Sequence, residues 1–267
     1  MARVDYSGRM ASVYDAGRHL SAEALALWMD AAARHIRRAE GPILDLGSGT
    51  GRFSAALAAR FGMPVVAMEP AEGMRQRAIG DRNETCAPSC AQSVSLVAGR
   101  AEALPFPSVS FAAVWASQVI HHVEDLQGSA VELRRVMGPG GTLLLRGVFE
   151  ATATGIPWAR YFPTAVHTVV SVYPTLARIT DVFARAGLRL EGHEVVVQVT
   201  ASSLRELYER VRVRADSTLE VLPDDEFDSG LALLRADADR EAEQAGRAGT
   251  GCSPNPVREP VELVIFR

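Results

Sequence analysis

Cysteine is scarce in this chain, three in 267 residues, which excludes a disulfide-built scaffold. Cys86 and Cys90 share the polar stretch "ETCAPSCAQ", and Cys252 lies apart in "GTGCSPNP". Neither segment offers further ligands for a metal clip, so no metal is expected and the thiols read as free, in loops of a cytoplasmic protein. No apolar run approaches the roughly 20 residues of a membrane helix. The opening "MARVDYSGRM" lacks the apolar core of a secretory signal, so no membrane partner is expected. Dense Lys/Arg blocks are missing too. With 28 basic against 32 acidic residues and a formal charge of −4, a nucleic-acid partner is disfavoured. There is no internal repeat and no extended low-complexity tract.

What is present suits one large α/β domain with a cap. Hydrophobic residues make up 48% and charged residues 22%, enough for a core. Leu25, Trp28, Met29, Ala32 and Ile36 recur at helical spacing, and Ser21 can cap their helix. Alternation follows. "PILDLG", "PVVAMEP", "SVSLVAG", "FAAVWAS" and "TLLLRGVF" read as strands. "GRFSAALAARFG", closed by Gly62, "AEGMRQRAIG" and "QGSAVELRRVMGPGG", with a Gly/Pro stop, read as the helices between them. This rhythm predicts a parallel sheet covered on both faces. It breaks across 150–174, resumes with the helix "TLARITDVFARAGL" and the strand "EGHEVVVQVT", and continues through helical stretches at 202–214 and 224–243. A final strand, "VELVIFR", closes the chain. "RVRVRAD" reads as a solvated helix face.

The specific signal is "ILDLGSGTGRFS", with Asp45 at the strand end and glycines at 47, 49 and 51. Glycine allows positive φ and a close ligand approach, and such a turn aims backbone N–H groups at a ligand. A dinucleotide fingerprint would need glycine at 52, where Arg52 stands. A P-loop would need Lys then Ser/Thr, and neither is present. Glu69 ends the next strand, 18 residues past Gly51, where a carboxylate can accept both hydroxyls of a ribose.

On "LDLGSGTG", "VVAMEPAEGM", "GRAEALPFPSVSFAAV", "ASQVIHHVED" and "ELRRVMGPGGTLLL", the chain resembles class I S-adenosylmethionine-dependent methyltransferases of the group that includes ubiquinone/menaquinone C-methyltransferases. The resemblance covers roughly residues 10 to 150 and the last strands more loosely. It implies a Rossmann-like, doubly wound sheet, mostly parallel with an antiparallel last strand, plus a helical cap. The whole chain 1–267 would be one methyltransferase domain: a helical segment 1–40, a cofactor core 41–149, cap helices in 150–175 and 200–250, and a final strand in 251–267. S-adenosyl-L-methionine is the implied cofactor. Asp45 would orient its amino group, with Gly47, Ser48 and Gly49 passing beside the sulfonium and ribose. Glu69 would hold the ribose, and Pro70 and Met74 would pack near the adenine. In the segment Arg100, Ala101, Glu102, the Ala101 backbone would meet an adenine nitrogen. Ser117 and Gln118 would border the methionine end, and Tyr14 and Arg18 would close over the cofactor. Two departures stand out. Arg100 replaces a common Asp that bonds the adenine amino group, so the adenine grip must differ or rely on backbone. Ala112 also replaces a common Asp.

Methyl transfer from a sulfonium is an in-line displacement, driven largely by positioning. A base is needed only where the acceptor must lose a proton. His121 and His122 follow the fourth strand, and adjacent side chains point apart, so at most one faces the site. His122 is the candidate there. The segment 150–174 carries Trp158, Tyr161, Phe162, His167 and Tyr173. These aromatics read either as a lid over an acceptor, with Tyr161 or His167 polarising the nucleophile, or as packing for the cap. The expected function is methyl transfer to O, N or C of a small metabolite, partly apolar or aromatic, bound between the His121–His122 loop and segment 150–174. An alternative is a cofactor-binding pericyclase, scaffold or regulator without transfer. A dehydrogenase fits poorly because of Arg52.

Overall fold

The computed structural model describes Tyr6 and residues 8–36, 41–85, 93–247 and 255–267. Cys86, Cys90 and Cys252 lie outside the described residues. Two compact units emerge. One gathers 1–24, 149–173 and 197–261, and the other gathers 25–148, 174–196 and 262–267.

The second unit holds the alternating elements. Helix α2 (Ala22–Ala33) leads to β1 (Ile43–Leu46), α3 (Arg52–Phe61), β2 (Val65–Met68), α4 (Glu72–Thr85), β3 (Val94–Val97) and β4 (Phe111–Ser117). Next come α5 (Leu126–Val136) and β5 (Met137–Gly147). The expected caps act as such. Ser21 Oγ accepts from the Ala24 N–H at 3.2 Å, Asp125 accepts from the Gly128 N–H at 2.9 Å, and Gly62 ends α3 in the left-handed region. One boundary differs from the reading of "MGPGG" as a helix stop. Met137 already pairs with Phe111, and the next pair is Ala113 with Thr142. The Gly/Pro residues therefore form an irregular detour inside a strand pair, and Gly140 with φ 71° makes the turn.

The seven strands order as β3-β2-β1-β4-β5-β7-β6, where β6 is Leu190–Ala201 and β7 is Val257–Phe266. The pairs β3–β2, β2–β1, β1–β4 and β4–β5 are parallel, while β7 runs antiparallel to β5. Strand order reverses between β1 and β4, so the carboxyl ends of these two strands flank the crevice where open α/β sheets bind ligands. Near-continuous apolar burial on β1, β4 and β5 reflects helices on both faces. Helix α7 (Leu176–Arg185) packs Phe183 against Phe266, with ring centroids 5.0 Å apart.

The first unit contains α1 (Arg9–Arg18), a 3-10 turn at Ala153–Gly155 and α6 (Pro163–Val172), so the segment read as irregular carries a helix of its own. It also holds α8 (Leu204–Val211), α9 (Ser217–Glu220) and α10 (Asp224–Arg247). Phe162 is fully buried and stacks on Phe227 at 5.5 Å, with Trp158 edge-on at 6.3 Å. Gly230 makes this packing possible. A Cβ there would lie 2.4 Å from a Phe162 ring carbon and 2.5 Å from the Tyr161 carbonyl oxygen.

Replacing a helical glycine with alanine ordinarily adds about 1 kcal/mol of helix stability. At Gly230 the clash with backbone should reverse that sign. Gly230→Ala is expected to lose roughly 1–3 kcal/mol in urea unfolding, and a stabilised variant would contradict this packing.

Candidate cofactor site

The site grows from the turn between β1 and α3, in the second unit. Gly47 has φ 66°, and a Cβ on it would sit 2.4 Å from Val119 Cγ2, so only glycine fits. The N–H groups of Gly47 and Ser48 both donate to the Met68 carbonyl, at 2.8 and 3.0 Å, which ties this turn to the end of β2. Gly49 has φ 58° and open space where its Cβ would be. Its N–H donates to Glu69 Oε2 at 3.0 Å, and the Ala71 N–H donates to Glu69 Oε1 at 2.9 Å. The carboxylate is thereby fixed in orientation with acceptor sites to spare. Burial raises the Glu69 pKa, against the two N–H bonds and the Arg75 charge.

Asp45 lies next to the end of β1 and is 2% exposed. Burial pushes its carboxyl up to about 7, opposed by the hydrogen bond from Ser54 and reinforced by the nearby Glu69 charge, with Arg52 countering. Ser54 Oγ donates to Asp45 Oδ2 at 2.6 Å from the first turn of α3. Ser48 Oγ is buried without a hydrogen-bond partner among the described residues. A carboxylate fixed by two N–H groups, a second buried acid and the orphaned Ser48 hydroxyl have the chemistry to fit an amino-acid-bearing nucleoside.

The remaining expected positions distribute as follows. Pro70 is exposed and Met74 is buried. Arg100 pairs with Glu102 at 3.5 Å and with Glu124 at 3.4 Å. Glu102 also accepts the Glu124 N–H at 3.0 Å, so two carboxylates hold this guanidinium. Ala101 is buried between them in sequence. Ser117 ends β4, and Gln118 follows with φ 54°, a strained conformation for a non-glycine residue. Its N–H donates to the Arg146 carbonyl at 2.7 Å. His121 and His122 share a 3-10 turn that brings their rings to 4.0 Å. The expectation that they point apart is therefore corrected: the tight turn gathers them.

Four expected residues belong to the first unit. Tyr14 is half-buried, and Arg18 pairs with Asp216 at 2.6 Å. Burial opposes the Arg18 charge, but Asp216, with Tyr14 and Glu259 near, holds its pKa up. Tyr161 donates its hydroxyl to Asp237 at 2.9 Å, and Arg160 bonds both groups. His167 is exposed on α6, with Ser171 Oγ bonded to its carbonyl at 2.7 Å. Sequence reasoning missed Ser54 and Arg146. The signal for Arg146 was a charge in "TLLLRGVF" on the strand face of Thr142 and Leu144.

Strand order, the glycine turn after β1 and the acid after β2 define the Rossmann-like fold of class I methyltransferases. Residues 44–145 match the methyltransferase domain family. It is 34% identical to malonyl-acyl-carrier-protein O-methyltransferase of Methylococcus capsulatus, over 57% of this chain and 50% of that one. It is 28% identical to 27-O-demethylrifamycin SV methyltransferase of Amycolatopsis mediterranei, over 74% of this chain and 72% of that one. A solved structure from Anabaena variabilis, assigned to methyltransferases of an antibiotic biosynthesis pathway, is 25% identical with a TM-score of 0.66, covering 89% of this chain and 95% of its own. The chain spans about half the length of several curated relatives it matches. No helix among the described residues is long and apolar enough to cross a membrane.

Asp45 offers a direct test. Its folded pKa lies above its unfolded value, so the folded protein holds an extra proton between about 4 and about 7, and stability falls as pH rises through that window. Carboxyl-labelled NMR should find a midpoint near 7 in the parent and a higher one in Ser54→Ala. An ordinary aspartate midpoint would contradict the buried geometry.

Proposed function

We propose that this chain is an enzyme that binds S-adenosylmethionine and transfers its methyl group to an O, N or C atom of a small molecule. The observation that carries the reading is Glu69, gripped by the Gly49 and Ala71 N–H groups with lone pairs left for two vicinal hydroxyls. Bound there, the cofactor supplies an already activated methyl group. The chain's own residues orient and shield. Asp45, ionised, holds the amino group. Glu69 holds the ribose, and the Ala101 backbone and Met74 border the adenine. Arg100 stands in place of the common aspartate and pairs with Glu102 and Glu124, so the adenine amino group is held differently or by backbone. Ser117 and Gln118 border the methionine end.

Catalysis then rests on holding the acceptor in line and excluding water. Among the three residues expected to touch the acceptor, the Tyr161 hydroxyl is already bonded to Asp237 and Arg160. His167 lies on an exposed helix face. His122, in the turn just past Gln118, is the best-supported contact for the acceptor's polar atom. The names of the relatives, a malonyl-acyl-carrier-protein O-methyltransferase and a 27-O-demethylrifamycin SV methyltransferase, support a small-molecule acceptor.

Titration calorimetry should show S-adenosylmethionine and S-adenosylhomocysteine binding, and tighter binding of NAD than of either would overturn the reading. Glu69→Ala is expected to cost on the order of 2–4 kcal/mol of that affinity, so parent-like binding by a folded variant would contradict the ribose assignment.

A labelled-methyl screen of a metabolite library, with the product located by fragmentation, should identify the acceptor. On that acceptor His122→Phe should slow transfer while leaving cofactor affinity nearly unchanged. Turnover at the parent rate would remove His122 from the acceptor site.

A further inference from the structure

All 28 basic residues of this chain are arginines, and one of them is buried at the carboxyl edge of the sheet. Arg146, near the end of β5, is 3% exposed. Its guanidinium lies 4.4 Å from the centroid of the Trp28 ring and 5.4 Å from that of Phe53. Its Nη1 donates to Ser117 Oγ at 3.1 Å. Register fixes its relation to the glycine turn. Asp45 pairs with Trp115 across β1 and β4, and Ser117 pairs with Arg146 across β4 and β5. Side chains two apart on a strand share a face, so Asp45, Trp115, Ser117 and Arg146 all stand on the face covered by Trp28 and Phe53. The first turn of α3 joins the two ends of this row. Ser54 bonds Asp45, while the preceding Phe53 touches both Trp115, at 5.1 Å, and the Arg146 guanidinium. The indole N–H of Trp115 is buried there without a partner among the described residues.

A buried acid and a buried guanidinium on one face of the sheet, either side of one helix turn, complement the two charges of an α-amino acid. We propose that Arg146, steadied by Ser117 and sheltered by Trp28 and Phe53, binds the carboxylate of the ligand's amino-acid end, while Asp45 takes its ammonium. This inference rests on the cofactor reading above and assigns within it a residue on β5 that discriminates the amino-acid form of the ligand. Planar guanidinium suits a carboxylate because it can present two parallel N–H donors. Stacking on Trp28 fixes the plane and keeps water away, which strengthens the bond.

The test compares two probes by calorimetry: S-adenosylhomocysteine and its decarboxylated counterpart, identical except for the missing carboxylate. The parent should prefer the carboxylated probe by roughly 10–100-fold. Arg146→Met should erase that preference, weakening the carboxylated probe alone and leaving the decarboxylated one within about threefold. Should Arg146→Met not fold, Ser117→Ala serves as the second variant, with a preference reduced by roughly three- to tenfold. Equal weakening of both probes in the folded variant, or a parent indifferent to the carboxylate, overturns the role of Arg146 while leaving the cofactor reading intact. A parent that binds neither probe overturns both.

Discussion

Glu69 accepts one N–H from Gly49 in the turn after β1 and another from Ala71 at the start of the chain after β2. This carboxylate is the clamp on which the candidate site depends. It joins two loops that belong to different βα units. The bond to Gly49 exists only because that residue turns to φ 58° and presents its N–H to the neighbouring strand end. The same turn is fastened again by the two N–H groups that converge on the Met68 carbonyl. A side chain at 47 would collide with Val119, so the loop after β4 is held at its distance by the same glycine. The ends of β1 and β2 are thus tied by the Glu69 carboxylate and by two backbone bonds to Met68, and Gly47 lets Val119, after β4, approach the same turn.

That proximity explains the electrostatics. Two carboxylates from different strand ends, Asp45 and Glu69, are therefore buried near one another, each with its own compensation. Glu69 is satisfied by backbone N–H groups and the Arg75 charge. Asp45 has only the Ser54 hydroxyl and the Arg52 charge against its burial, so its pKa rises to about 7. A carboxyl poised at that value gains its charge most readily when a cation arrives beside it. The strained Gln118 backbone, bonded to the Arg146 carbonyl, brings the β4 loop over the same crevice, a placement typical of functional turns.

The first unit follows a different logic. Its aromatics serve its own core: Phe162 lies on Phe227, and Gly230 gives up its side chain so that they meet. Its polar groups are joined in pairs, Arg18 with Asp216 and Tyr161 with Asp237. Polar side chains so engaged are held by partners within their own unit.

From sequence alone the strand–helix alternation, the parallel sheet, the glycine turn, the Asp45 and Glu69 pair and the caps at Ser21 and Gly62 were legible. Each is written in local spacing: period two for strands, period 3.6 for helices, and glycine where only glycine can turn. Other features depended on the third dimension. "MGPGG" carries the residues of a stop, yet β4 supplies a partner for Met137, and pairing outweighs the local signal. His121 and His122 were expected apart, but a 3-10 turn winds more tightly than a strand or loop and brings the rings together. The guanidinium of Arg100 turned to Glu102 and Glu124, the second 24 residues away in the chain, a partner no local spacing announces. Arg146 gave only the hint of one charge in an apolar strand. Its neighbours Trp28, Phe53 and Ser117 come from three other elements, and only the packing of helices on the sheet decides that they enclose it.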